Sequence, residues 1–275
     1  MSTQLIMDTP ENWDAASKGY AEKIAPHLME GFSAEFVKLL EVDKSTDVLE
    51  VAAGSGALTM TLGQAARSVL ATDFSPGMLQ ILEARVQHAG LNNVTLAQMD
   101  GQALDLEDNR FDRAASSFGL MLFPDRHKGF KELNRVVRHG GKVLVSAWAT
   151  PDKFEALGLF MTAVQKTYPN MPKPDAPPPV LSLSDLTKFK AEMEAAGFRK
   201  VRVDFISREL TLENLARMWS MLTVGAPPIK KLTEQVGQAG LEKIRDSLAE
   251  IVESRFGNGP IVLNNTATVA VGTAS

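Results

Sequence analysis

The chain has 275 residues, 44% hydrophobic and 23% charged, a formal net charge of −4 and no cysteine. That length holds one large α/β domain or a domain with a substantial insertion, and the acidic balance offers no basic footprint for nucleic acid. Without cysteine there are no disulfides, thiolate metal sites or cysteine nucleophiles. Neither a signal peptide nor a membrane span of about 18 apolar residues stands out, so the chain reads as cytoplasmic, and no metal site is expected.

In chain order, apolar and aromatic positions from Trp13 to Leu40 predict a helical N-terminal region over 12–40. An apolar strand over 47–52 then runs into the glycine-rich turn Ala53-Gly54-Ser55-Gly56, and a helix over 57–65 follows. A strand over 69–73 ends in Asp73, a helix covers 76–89, and strands follow near 94–98 and 112–117. A helix over 126–138 and a strand over 142–148 complete the alternation, which predicts a mostly parallel sheet with helices on both faces. Beyond Trp148 an amphipathic helix is expected over 151–168, a proline-rich loop over 169–179, a helix over 184–196 and a strand over 200–210. Residues 212–224 and 229–256 read as helical, and strand pieces at 261–263 and 268–271 close the chain.

Strand, glycine turn, helix, strand and acid form a unit that grips a ribose-bearing cofactor. The glycines admit the ligand close to the backbone, and Asp73 is placed to accept from ribose hydroxyls. The dinucleotide fingerprint wants a third glycine or alanine where this chain has Thr59, and Glu50 stands where a pyrophosphate would be repelled. An acid at that point suits a sulfonium cofactor with a cationic amino-acid end. In a strand buried on both faces an unpaired Glu50 would be costly, which favours a cofactor-facing role. Asp73 is also a good Asx-turn residue, with Ser75 as N-cap, and both readings stand together.

The stretch Glu50-x-Ala52-x-Gly54-x-Gly56 resembles the first motif of the class I S-adenosylmethionine-dependent methyltransferases. The downstream order is similar as well. Asp73-Phe74-Ser75-Pro76-Gly77-Met78 resembles the ribose-binding turn, and Met99-Asp100-Gly101-Gln102 resembles the adenine segment. Ser116-Ser117-Phe118-Gly119 resembles the fourth-strand exit, and Glu132-Leu133-Asn134-Arg135-Val136 through Gly140-Gly141 resembles the pattern before strand five, with His139 in place of its usual proline. The match covers about 45–150 and is nearest to the ubiquinone and menaquinone C-methyltransferase branch. It implies a Rossmann-like seven-stranded, mostly parallel sheet with helical cap insertions. It also implies S-adenosylmethionine as cofactor, S-adenosylhomocysteine as product and a small-molecule acceptor.

By that resemblance Glu50, Ala52, Gly54, Gly56, Asp73, Phe74, Met78, Asp100, Gly101, Gln102, Ser117 and Phe118 bind the cofactor. Tyr20 is the candidate catalytic group, and no base is assigned to any histidine; each is read as a surface or capping residue. Trp13, Tyr20, Phe123, Trp148, Phe160 and Trp219 are the acceptor candidates. The expected organisation is an N-terminal region (1–40) over the cofactor site and a cofactor-binding core (41–150). A lid insertion (151–183) follows, then the remainder of the sheet (184–210 and 258–275), interrupted by a helical insertion (211–257) that caps the site or builds a homodimer interface. The rival readings are an NAD(P)-dependent oxidoreductase, disfavoured by Thr59, Glu50 and the lack of a Tyr-x-x-x-Lys pair, and a non-catalytic cofactor-binding protein, whose motifs should be degraded.

Overall fold

The computed structural model describes residues 9–172, 177–224 and 227–275. Its centre is β1 (Asp47–Val51), whose Val48, Leu49 and Val51 are buried. It pairs in parallel with β2 (Ser68–Asp73) on one side and β4 (Phe111–Ser117) on the other. With β3 (Val94–Gln98), β5 (Val137–Trp148), β6 (Arg199–Leu212) and β7 (Ile261–Thr273), the sheet has seven strands in the order β3-β2-β1-β4-β5-β7-β6. Only β7 runs against its neighbours, antiparallel to both β5 and β6. Strand order therefore reverses between β1 and β4, and the crevice at their carboxyl ends is where open α/β sheets bind ligands.

The predicted continuous N-terminal helix is broken into pieces. Helix α1 (Pro10–Gly19) passes into a π-helical turn (Tyr20–Ile24), then α2 (Ala25–Leu28), a 3-10 turn (Glu30–Phe32) and α3 (Ser33–Leu40). Pro26 has no amide hydrogen to continue an α-helical ladder, and the Ala25 N–H reaches back to the Tyr20 carbonyl instead. Single π turns of this kind concentrate at functional sites.

Helices α4 (Thr59–Ala65), α5 (Pro76–His88) and α6 (Arg126–Val136) fall where the alternation placed them. Strand β5 starts at Val137, earlier than the turn chemistry of His139-Gly140-Gly141 suggested; a register shift opposite Phe111 and Arg113 absorbs the irregularity. The two expected pieces of the last strand are one strand, because pairing with β6 continues through Asn264, Asn265 and Thr266.

Helices α7 (Glu155–Thr167) and α9 (Leu215–Thr223) pack against each other and against α10 (Pro227–Phe256), which kinks at Gly237. Helix α8 (Leu186–Ala195) packs on β6 and β7. Of the proline-rich segment, residues 173–176 lie outside the described residues.

Candidate active site

A cavity of about 470 Å³ opens at the strand-order reversal, within the 300–1,000 Å³ range of small-molecule sites. Strand β1 leaves its buried register at Ala52, which takes a left-handed conformation (φ 57°), and Gly54 (φ 57°) and Gly56 (φ 92°) follow. Phe118, just past β4, is left-handed too (φ 57°) and is held by its N–H to the Ser146 carbonyl (3.2 Å) and hydroxyl (3.0 Å). Two non-glycine residues in this conformation cost about 1–2 kcal/mol each, and such strain clusters at functional sites. Here it faces the two exit turns toward each other: a Cβ on Gly119 would lie 2.5 Å from the Ala52 Cβ.

Asp73 ends β2 on the cavity wall and is 5% exposed. One carboxylate oxygen accepts from the Gly54 N–H (2.8 Å), the other from the Ser75 N–H (2.9 Å). Burial raises its pKa against those backbone donors. The acid therefore ties the glycine turn to the next strand, and a carboxylate has lone pairs left for ligand hydroxyls. Ser75 caps α5, accepting from the Met78 N–H (3.1 Å). Asp14, from α1, accepts from the Gly77 N–H (2.8 Å) and the Ser75 hydroxyl at that same helix start. This contact, invisible in the sequence pattern, moors the N-terminal region to the cofactor side of the sheet.

Above the turn, Trp13 and Tyr20 meet edge to face at 5.7 Å and both line the cavity. Burial, then the Asp73 carboxylate, pushes the Tyr20 phenol up. It therefore stays protonated at neutral pH, a state with a proton to donate and none to take up as a base.

On the far wall Asp100 is exposed, and its Oδ1 accepts from the Gln102 N–H (2.9 Å) and side-chain amide (3.1 Å). Gln102 Oε1 accepts from the Asp125 N–H (2.9 Å). Gly101 is packed so closely that a Cβ would sit 2.6 Å from Phe123 and Val51, so only glycine fits this slot. Arg135 donates to the Leu104 and Leu106 carbonyls (3.0 and 2.7 Å) and to Glu132 (2.8 Å), while Glu132 accepts from the Leu104 N–H (2.7 Å). The Glu-x-x-Arg pair thus acts as a brace for the loop behind Gly101–Gln102.

Thirteen of the residues singled out from sequence share this cavity: Trp13, Tyr20, Ala52, Gly54, Asp73, Phe74, Met78, Asp100, Gly101, Gln102, Ser117, Phe118 and Phe123. Five do not line it. Gly56 is packed under the turn, its missing Cβ occupied by Leu82 Cδ1 at 2.3 Å. Glu50 stands behind the turn, fully buried; one oxygen accepts from the Thr59 hydroxyl (2.6 Å) and the other has no partner. Burial pushes its pKa from 4.5 to about 8. Trp148 is sandwiched between Phe118 (4.2 Å) and Phe154 (4.1 Å) as a second layer. Phe160 and Trp219, expected as an acceptor roof, pack against each other at 6.1 Å. Their helices contact each other and α10, and α9 also reaches the π-helical turn that carries Tyr20. The sequence reading missed six wall residues: Met99, Gly119, Leu122 and Pro124 adjoin residues it named, while Pro10 and Gln98 do not.

The profile of the ubiE/COQ5 methyltransferase family matches residues 30–172, just over half of the chain. The chain belongs to that family. An uncharacterised protein of Mycobacterium tuberculosis is 30% identical over 158 residues, 58% of this chain and 56% of the relative. A demethylmenaquinone methyltransferase of Corynebacterium kroppenstedtii is 39% identical over 114 residues, 42% of this chain and 47% of the relative. The chain thus spans about half the length of these curated relatives. The YcgJ protein of Bacillus subtilis shares the fold, with a TM-score of 0.59 at 17% identity over 88% of this chain and 97% of that one. The family-matched segment contains β1 to β5 and every cavity residue except Pro10, Trp13 and Tyr20. Among the described residues no helix is long and apolar enough to cross a membrane. No cluster of histidines and acids among them is placed to hold a metal.

Proposed function

We propose that this family member binds S-adenosylmethionine in the 470 Å³ cavity and transfers its methyl group to a small, partly apolar acceptor. The observation that carries the reading is the convergence of the left-handed Ala52–Gly54 turn, the turn-holding carboxylate of Asp73 and the Gly101 segment on one cavity. When bound, the cofactor supplies an electrophilic methyl on a sulfonium. Asp73 is placed to accept from the ribose hydroxyls, and the Gly101 slot with Phe123 to take the adenine. Ala52, Gly54, Ser117 and Phe118 face the methionine end, and Trp13 with Tyr20 cover it.

Methyl transfer in this reading is an in-line displacement. An electron pair of the acceptor would form the new bond to carbon, and the pair of the breaking bond would return to sulfur. The chain's contribution is then largely placement and exclusion of water; the neutral Tyr20 hydroxyl donates a hydrogen bond and removes no proton. The quinone substrate in the name of the Corynebacterium kroppenstedtii relative supports a partly apolar acceptor. The apolar residues Leu122, Phe123 and Phe118 on the wall suit one. Calorimetric titration with S-adenosylhomocysteine and, separately, NADH tests the cofactor, and tight binding of NADH alone would overturn it. Methyl-labelled cofactor with a panel of small acceptors, read by mass spectrometry, then tests the reaction.

A further inference from the structure

Three residues of the N-terminal segment line the cofactor cavity: Pro10 and Trp13 in α1, and Tyr20 at its C-cap. All three lie before the family-matched residues 30–172. Beyond the π-helical turn the segment is firmly anchored. Ala25, Leu28, Met29 and Phe32 are buried, Glu30 pairs with Arg85 (2.8 Å), and the Ser33 hydroxyl donates to the Ala57 carbonyl (2.8 Å). Helix α1 differs, for only Ser17 among its ten residues is buried. Little side-chain burial fixes α1 over the cavity, so its polar contacts decide more of its placement.

Those contacts centre on Asp14. Its Oδ1 accepts from both the Gly77 N–H (2.8 Å) and the Ser75 hydroxyl, at the start of the thirteen-residue α5. An amide with no acceptor inside its own helix thus meets a carboxylate at the positive end of the helix dipole. Gly77 is what lets α1 come down this far. A Cβ there would lie 3.1 Å from the Asp14 Cα and 3.3 Å from the Ser17 hydroxyl oxygen. The same turn of chain belongs to the cofactor wall, because the Ser75 N–H donates to Asp73 (2.9 Å).

We propose that Asp14 is a positioning residue of the cofactor site: its tie to the start of α5 holds α1 down, keeps Pro10 and Trp13 over the cavity and slows release of the bound cofactor. This rests on the proposed binding of S-adenosylmethionine in that cavity. Asp14 is not itself a wall residue; it acts through the residues of α1 that are. The gap at Gly77 sets how closely the helix sits.

S-adenosylhomocysteine is the probe, with its affinity read by calorimetry and its release rate by stopped-flow displacement. Asp14→Ala leaves the anchors beyond the π-helical turn untouched, so it should fold and release the probe about tenfold or more faster, with matching loss of affinity. Asp14 also repels the Asp73 carboxylate, so tie and charge have to be separated. Asp14→Asn keeps one oxygen to accept both hydrogen bonds and removes the charge; it should stay within about threefold of wild type. Gly77→Val leaves Asp14 intact and wedges α1 away, and it should speed release about tenfold. In a Trp13→Ala background the further change Asp14→Ala should add less than about threefold, since the ring it positions is gone. Unchanged release in a folded Asp14→Ala or Gly77→Val protein would overturn the proposal. So would Asn as fast as Ala, which would assign the effect to charge on Asp73, or the full effect of Asp14→Ala persisting without Trp13. Failure of the wild-type protein to bind S-adenosylhomocysteine would instead overturn the cofactor reading, so the two failures are separable.

Discussion

Glu50 offers the sharpest physical test, because its burial makes a signed statement about stability. Its pKa rises from 4.5 to about 8, chiefly through burial, while the hydrogen bond from Thr59 pulls the other way. A carboxyl whose folded-state pKa is raised is most at home protonated, so its contribution is intact below pH 4.5 and is lost as pH climbs through 8. Over that window the loss is roughly 5 kcal/mol, comparable to the whole stability of many domains. Glu50→Gln keeps the shape and an oxygen to accept from Thr59, and it cannot ionise. Urea unfolding at pH 5, 7 and 9 should therefore show the variant close to wild type at pH 5 and several kcal/mol more stable at pH 9. The comparison isolates Glu50, since every other titrating group is common to both proteins. Parallel stability profiles from pH 5 to 9 would refute the burial argument.

Asp73→Ala should weaken S-adenosylhomocysteine about 10- to 150-fold, the worth of a charge-assisted contact. Asp73→Asn should lose less, since its amide oxygen still accepts from one of the Gly54 and Ser75 N–H groups; equal, small losses in calorimetry would reduce Asp73 to a turn residue. Gly54→Val should fold and fail to bind S-adenosylhomocysteine, because a branched side chain would have to adopt φ 57° on the cavity wall; unchanged affinity in a folded protein would sink the site. Gly56→Ala should cost about 2–4 kcal/mol in denaturant unfolding, from the clash with Leu82 and the left-handed backbone; a change under 1 kcal/mol would contradict the packing under the turn. Trp219→Ala should lower the unfolding midpoint through lost contact with Phe160 and leave S-adenosylhomocysteine affinity unchanged; a large affinity loss would return α9 to the cofactor site.

The sheet was legible because its cues are local. Apolar runs ending in Gly54, Asp73 and Ser117 state both where a strand stops and that its end meets something other than core. The same locality explains what escaped. Asp14 capping α5 depends on where α1 lands, 63 residues from Gly77, and no periodicity encodes that. Glu50 was legible as an anomaly, an acid in a buried strand, while its direction was not: whether it met the cavity or Thr59 turned on the first bend of the chain after Val51. Phe160 and Trp219 carried the right apolar spacing for a roof, but a stripe does not name its partner, and here the two rings pack against each other.

Sequence patterns thin out beyond the cavity wall, and the structure explains why. Apart from Pro10, Trp13 and Tyr20, the cavity wall comes from the exits of four successive strands, β1 to β4, so its residues appear as ordered motifs along the chain. A second cleft is assembled from the Pro26–Phe32 segment and from Arg208, Leu210 and Asn265, separated by roughly 180 residues and then by more than 50. Arg208, Asn265 and His27 all lie outside the family-matched residues 30–172. Family membership thus speaks to the half of the molecule that holds the cofactor.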